Sequence, residues 1–313
     1  MTYTTIKTRL DGGGTVILDG GTGTELQRRG APMDPAAWCG PATLGNDKLL
    51  TEIHADYVAA GAEIITANTF AASRLMLSGA GLGHMTGEIT RRAVEAALTA
   101  REQTKTGARV VVAGSLSHMV PVAPGTAVVD PSKIASTAEL SDAFHEMAGN
   151  LKAAGVELIL LEMMYVPARI KLVVEAALAT GLPIWYGLSA RRDDSGRAIS
   201  FDWLSETPLE DVITCIPENG IDAAGIMHTS AEIVGEGIAA LRKRFKGPLT
   251  AYPDSGYFEM PDWQFIDVIT PERLQRFAEA WIRSGVQVVG GCCGLGPDHV
   301  RAVVRARDAV RGG

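Results

Sequence analysis

Two adjacent cysteines, Cys292 and Cys293, close an apolar run that reads Val286-Gln287-Val288-Val289-Gly290-Gly291-Cys292-Cys293-Gly294. Small thiols flanked by glycines at the tip of a late strand pack a core poorly, but they present two sulfurs well to one metal ion. Zinc favours tetrahedral sulfur and nitrogen ligation, and a catalytic zinc uses three protein ligands and keeps one position open. His228, at the end of another β-rich run, is the candidate third donor, so the expected Zn2+ ligands are His228, Cys292 and Cys293. The competing readings are two small residues buried in a glycine-rich turn and a hydrogen-bonded histidine at a strand end. Of the other cysteines, Cys39 sits in a loop, where it could serve as a spare ligand. Cys215 lies in the helical pattern 209–216 and reads as core.

The elements that must position these residues alternate along the chain. Strand-like runs cover 15–19, 63–68, 109–114, 157–162, 183–188, 223–228, 249–252 and 286–290. Amphipathic helical patterns between them include 47–60, 86–104, 140–154, 168–180 and 271–284. Gly61, Gly155, Gly181, Gly220 and Gly285 suit left-handed helix stops. Eight strands, each followed by a helix, predict an α/β fold, a (β/α)8 TIM barrel formed by one domain over residues 1–313. Continuous apolar runs such as Val110-Val111-Val112 and Leu158-Ile159-Leu160-Leu161 fit strands buried on both faces. The rival is an open doubly wound sheet. It lacks its fingerprint, because Gly21-Thr22-Gly23 is followed by Leu26 where a third glycine belongs.

In such a barrel the active site lies at the C-terminal ends of the strands. The unusual residues fall there: Asp19, Asn68, Glu162, Ser189 and His228 at strand ends, Asp254 after strand seven, and Cys292-Cys293 after strand eight.

The chain carries a formal net charge of -7, and its one basic cluster, Arg242-Lys243-Arg244, suits a solvated helix end. That balance argues against nucleic acid, which wants clustered Lys and Arg. Four cysteines, two of them adjacent, make no disulfide framework in 313 residues and point to a reducing compartment. The N-terminus lacks the apolar core of a signal peptide. No stretch approaches the ~20 apolar residues of a membrane span. The expectation is a cytoplasmic protein whose partners are small molecules, with neither nucleic acid nor a membrane among them.

Four segments carry a resemblance over nearly the whole chain. They are Ile17-Leu18-Asp19-Gly20-Gly21-Thr22-Gly23-Thr24-Glu25-Leu26, Ala67-Asn68-Thr69-Phe70, Tyr252-Pro253-Asp254-Ser255-Gly256, and Gly290-Gly291-Cys292-Cys293-Gly294 with Pro297 and His299 beyond it. In this order the chain resembles the homocysteine S-methyltransferase family. The resemblance implies a zinc-containing (β/α)8 barrel that methylates the sulfur of homocysteine to give methionine. It implies zinc held by three cysteines, two matching Cys292 and Cys293 and one at the end of strand six, usually preceded by Asn. Here that segment reads Met227-His228, and Asp254 stands where the family commonly has Asn. Asp19 and Glu162 match positions that hold the amino group of homocysteine.

Zinc would ionise an acceptor thiol whose free pKa is ~8.5, so no catalytic residue is required beyond the metal centre. Replacing a thiolate by a neutral imidazole makes the centre less anionic, which predicts tighter thiolate capture and a weaker nucleophile. Aromatic side chains in the strand–helix loops, Trp38 and Phe70 among them with Tyr165, Phe201, Trp203, Tyr257, Phe258, Trp263 and Phe265, could attract an onium donor by cation–π contact. They could equally anchor long loops. Trp38 aligns with a position the betaine-using branch of the family places near its donor, but Ala71 stands where that branch favours Tyr. A sulfonium such as S-methylmethionine is therefore the preferred donor. Two other readings of the altered third ligand remain: a catalytically altered or metal-binding relative, and a demethylase of an unusual onium compound.

Overall fold

A computed structural model describes residues 2–105, 110–123, 126, 128–259 and 264–312. Trp263 and the first residue of the expected third strand, Arg109, lie outside these. The eight strands are β1 (Val16–Ile17), β2 (Ile64–Ala67), β3 (Val111–Ser117), β4 (Leu158–Met164), β5 (Ile184–Leu188), β6 (Ala223–Ser230), β7 (Leu249–Asp254) and β8 (Val288–Val289). All pair in parallel, each with its sequence neighbours, and β8 pairs with β1. A bridge between Leu18 and Ile64 joins β1 to β2 and closes the ring. The expected (β/α)8 barrel is the observed fold.

Alternation along the strands builds two cores. Val111 and Ala113 of β3 and Leu158 and Leu160 of β4 point into the barrel, while Val112, Ile159 and Leu161 pack outward against the helices. All seven residues of β3 and of β4 are buried, which is why their runs read as continuously apolar. The outer helices follow the expected patterns closely: Asp47–Ala60, Thr86–Gln103, Thr137–Ala154, Pro167–Leu178 and Pro271–Arg283. Gly61 and Gly155 end theirs in the left-handed conformation, at φ 107° and 93°.

A helix not expected from the sequence, Tyr3–Asp11, plugs the N-terminal mouth of the barrel. Ile6 and Leu10 join the interior core, and the indole Nε1 of Trp185 donates to the Tyr3 hydroxyl at 2.9 Å. With that end covered, a cavity opens at the C-terminal ends of the strands. Two short hairpins, Ala190–Arg192 with Ala198–Ser200 and Tyr257–Glu259 with Gln264–Ile266, rise there after β5 and β7. The helix expected over 209–216 spans only Leu209–Ile213, leaving Cys215 half-buried with its thiol donating to the Asp211 carbonyl. No helix among the described residues is long and apolar enough to cross a membrane.

Candidate active site

The strand ends enclose a cavity of about 530 Å3 at the C-terminal mouth. Asp19, Asn68, Glu162, His228, Asp254, Cys292, Cys293, Trp38 and Phe70 all line it. Among the described residues, no lysine or arginine does.

His228 reaches the cavity because β6 breaks its own alternation. Met227 faces the barrel interior and Ile226 the helices, so a regular strand would send His228 outward. Pairing with β7 slips between Met227 and Ser230, and His228 takes a φ of 40°. This bulge turns the imidazole into the mouth, as bulges beside active sites commonly do. Two hydroxyls pin it: Ser189 Oγ and Thr229 Oγ1 both donate to the Met227 carbonyl, at 2.9 and 2.8 Å. Trp38 and Met163 also have positive φ, 48° and 54°, and also line the cavity. Strain of this kind costs about 1–3 kcal/mol per residue and gathers at functional sites.

Ser189, expected to touch substrate, is fully buried and does not line the cavity. Its place is beneath the bulge, where it supports His228.

Cys292 and Cys293 are set by the loop after β8. Cys292 N donates to the Pro253 carbonyl at 2.7 Å and Ser255 N to the Cys293 carbonyl at 3.1 Å, which ties the loop to the end of β7. Gly20 lets the first strand–helix turn lie against this loop, since a Cβ there would sit 2.0 Å from the Leu295 carbonyl oxygen.

The donor atoms of His228, Cys292 and Cys293 lie within 4.8 Å of one another. Nδ1 of His228 is 3.6 Å from Cys292 Sγ, and the two Sγ atoms are 4.0 Å apart. Bond lengths of about 2.3 Å to sulfur and 2.0 Å to nitrogen give tetrahedral edges of about 3.6–3.8 Å, so the donor set fits zinc. All three ligand candidates line the cavity, so an ion held there would be within reach of a bound thiol. The Cys292 thiol is pushed well above its usual range by the neighbouring Cys293 thiol and by burial, with His228 opposing. A thiol held protonated in this way calls for a cation to ionise it. Cys39 is buried, and burial likewise raises its thiol. It is not among the clustered donors.

In the same cavity, Asp19 accepts from Thr66 N at 2.6 Å and from Thr66 Oγ1 at 3.0 Å. Glu162 accepts from Ser115 Oγ. Burial lifts both carboxyls to about 7, against those hydrogen bonds. The charge of Glu162 raises Asp19 further. Two buried acids in mutual repulsion suit one shared cation. Thr66 and Ser115 were not singled out from the sequence. Their signal is a polar residue at the inward-facing end of an apolar strand, and β3 extends past the expected Gly114 to Ser117. Asn68 spends its amide on Cys39 O and Thr43 Oγ1, at 2.9 and 3.1 Å.

The outer wall is aromatic. Trp38 meets Phe70 and Phe258 edge-on, with ring centroids 6.1 and 5.5 Å apart. Phe201, carried by the hairpin after β5, lies edge-on to His228 at 5.1 Å. Phe265, Trp203 and Tyr257 complete the wall and its rim, and Ala71 also lines the cavity. Tyr165 lies behind Phe201, outside the lining.

Fold and site thus define a closed (β/α)8 barrel with a thiol–imidazole cluster and two carboxylates at its C-terminal mouth. A family profile described as homocysteine S-methyltransferase matches residues 16–307. The chain belongs to that family and is a methyltransferase. It is 28% identical to homocysteine S-methyltransferase 2 of Zea mays, over 94% of this chain and 90% of the relative. It is 27% identical to a selenocysteine methyltransferase of Astragalus bisulcatus, over 94% and 92%. The metallated form of the Escherichia coli homocysteine methyltransferase MmuM superposes with a TM-score of 0.72, at 23% identity over 95% of this chain and 98% of that one. That likeness speaks to the fold.

Proposed function

We propose that the chain, as one domain over residues 1–313, is a zinc-dependent methyltransferase. In this reading it moves a methyl group from a sulfonium or related onium donor, of the S-methylmethionine kind, to the thiol of homocysteine, giving methionine. The observation that carries this reading is one cavity lined by both a metal-competent His228–Cys292–Cys293 cluster and the Asp19 and Glu162 carboxylates.

A zinc ion held by these three side chains would supply an ionised, fixed acceptor sulfur. Asp19 and Glu162 hold the acceptor's ammonium group, whose positive charge relieves the repulsion between two buried acids. Their separation from the metal ligands sets the acceptor's reach from amino group to sulfur. Asn68 keeps the 39–43 loop, and with it the Trp38 wall, against the cavity. Trp38 and Phe70 present ring surfaces to a cationic donor. The acceptor sulfur attacks the donor methyl in line, and the donor departs as a neutral thioether. No side chain needs to take up a proton in that step. The absence of lysine and arginine among the described lining residues suits a cationic donor beside the acceptor's ammonium group. The setting favoured for such a reaction is the cytoplasm.

The test is turnover of homocysteine by the zinc-loaded protein against a panel of sulfonium and quaternary ammonium donors, read by mass spectrometry. The reading expects methionine and a demethylated sulfonium. Loss of methyl from an onium compound with no methylated thiol would instead support the demethylase reading. Bound zinc without turnover of any donor would support the metal-binding relative.

A further inference from the structure

The cavity holds a third carboxylate that the scheme above leaves unused. Asp254 ends β7, between the strand that carries His228 and the loop that carries the cysteines. Its Oδ2 lies 3.7 Å from His228 Nε2. The opposite ring nitrogen, Nδ1, is the one 3.6 Å from Cys292 Sγ. The imidazole is therefore a bridge, with its cysteine side turned to the metal cluster and its far side to a carboxylate. Among the described residues, His228 is the only hydrogen-bond or ion-pair partner of the Asp254 side chain.

We infer that Asp254 is the positioning residue of an imidazole metal ligand, and that His228 and Asp254 work as one unit in place of a thiolate. This rests on the metal-centre reading and adds a residue to it. Three arguments support the pair. An imidazole ligand must present a lone pair, and a carboxylate facing Nε2 keeps the proton there and leaves Nδ1 bare; histidine ligands are commonly oriented in this way. Charge supplies the second. Two thiolates and a neutral imidazole around a divalent ion sum to zero, whereas three thiolates sum to -1. The Asp254 carboxylate restores the missing unit at one ring's distance, so the acceptor sulfur keeps the electron density that the histidine alone would withdraw. The third is local. His228 sits on a strained bulge, and a partner on the next strand fixes a ring that the backbone alone leaves able to swing. Phe201, edge-on to the ring at 5.1 Å, also restricts its tilt. Two of the positions at which this chain departs from the pattern it resembles, His for Cys on β6 and Asp for Asn on β7, thus face each other.

The test uses the full chain, stripped of metal and titrated with Zn2+ against a chromogenic chelator. Asp254→Asn keeps the side chain's shape, so the far-UV circular dichroism of the metal-free protein should match the parent. The inference expects zinc affinity to fall on the order of 10- to 100-fold in Asp254→Asn, with recovery in Asp254→Glu. It also expects the effect to vanish in a His228→Cys background, where no imidazole needs holding. Co2+ substitution gives a second readout, in which the ligand-field bands of Asp254→Asn should shift in the parent background only. An equal loss of affinity in both backgrounds would overturn the pairing, as would unchanged affinity in Asp254→Asn. His228→Ala separates the two levels. If its zinc affinity is unchanged, the metal centre itself fails and the pair with it. A loss there, with none in Asp254→Asn, overturns the pair alone.

Discussion

Nδ1 of His228 and Sγ of Cys292 stand 3.6 Å apart although 64 residues separate them in sequence, a spacing that matches one edge of a zinc tetrahedron. If that edge is real, His228→Ala should bind zinc at least tenfold more weakly, and His228→Cys should restore it. Metal content by mass spectrometry checks both. Full stoichiometry in His228→Ala would remove the imidazole from the centre.

Metal binding should depend steeply on pH. Burial opposes the charge of His228, but Asp254, Cys292 and Glu162 outweigh it and lift the ring to about 9. Cys292 is raised as well. Protons must leave both before a metal can bind, so zinc affinity should rise by about tenfold or more per pH unit from 7 toward 9, and less steeply above it, where only Cys292 still gives up a proton. A chelator-competition series in pH checks this. A flat profile would mean that neither group is a ligand.

Asp19 should cost stability in return for acceptor binding. Its carboxyl stands at about 7 in the folded chain because it is buried, against 3.8 as a free group. Between those values the folded state holds more protons than the unfolded one, so this group's contribution to stability falls as pH rises through that window. Asp19→Asn should melt roughly 2–6 °C above the parent at pH 8. At pH 4 the gap should be gone. Its KM for homocysteine should rise at least tenfold. Melting curves that keep the same offset at every pH would contradict the assignment.

Much of the architecture was legible from the residues, for physical reasons. Strands buried on both faces must be apolar throughout, and Val110–Val112 and Leu158–Leu161 are. Gly61 and Gly155 announced their helix ends, since left-handed stops favour glycine. The vicinal cysteines were legible as candidate ligands because adjacent thiols between glycines present two sulfurs to one ion. What could not be read was orientation. The side-chain alternation that places Met227 inside the barrel places His228 outside it, and only the slip in β6, pinned by Ser189 and Thr229, reverses that. Asp254 was visible as a departure from a pattern, but its partner lies on another strand. The hairpins that bring Phe201 and Phe258 to the cavity are too short to show a period.

Donor and acceptor should separate by mutation. Trp38→Ala removes a ring face worth about 1–2 kcal/mol to a cation, so KM for the onium donor should rise roughly 5- to 30-fold. The homocysteine KM should change less than twofold. Equal effects on both would make Trp38 a loop anchor.

Gly20 should tolerate no side chain. A Cβ 2.0 Å from the Leu295 carbonyl oxygen forces the first strand–helix turn off the cysteine loop. Gly20→Ala should lose more than about 2 kcal/mol of stability, seen by urea unfolding, and should bind zinc more weakly. A variant as stable as its parent would show that the turn and loop are not in contact.

The most direct measurement is X-ray absorption at the zinc edge of the loaded protein, with and without homocysteine. The account predicts a shell containing two sulfurs and one imidazole nitrogen, with a third sulfur entering when homocysteine is added. A shell that lacks imidazole, or that gains no sulfur from the acceptor, would contradict it.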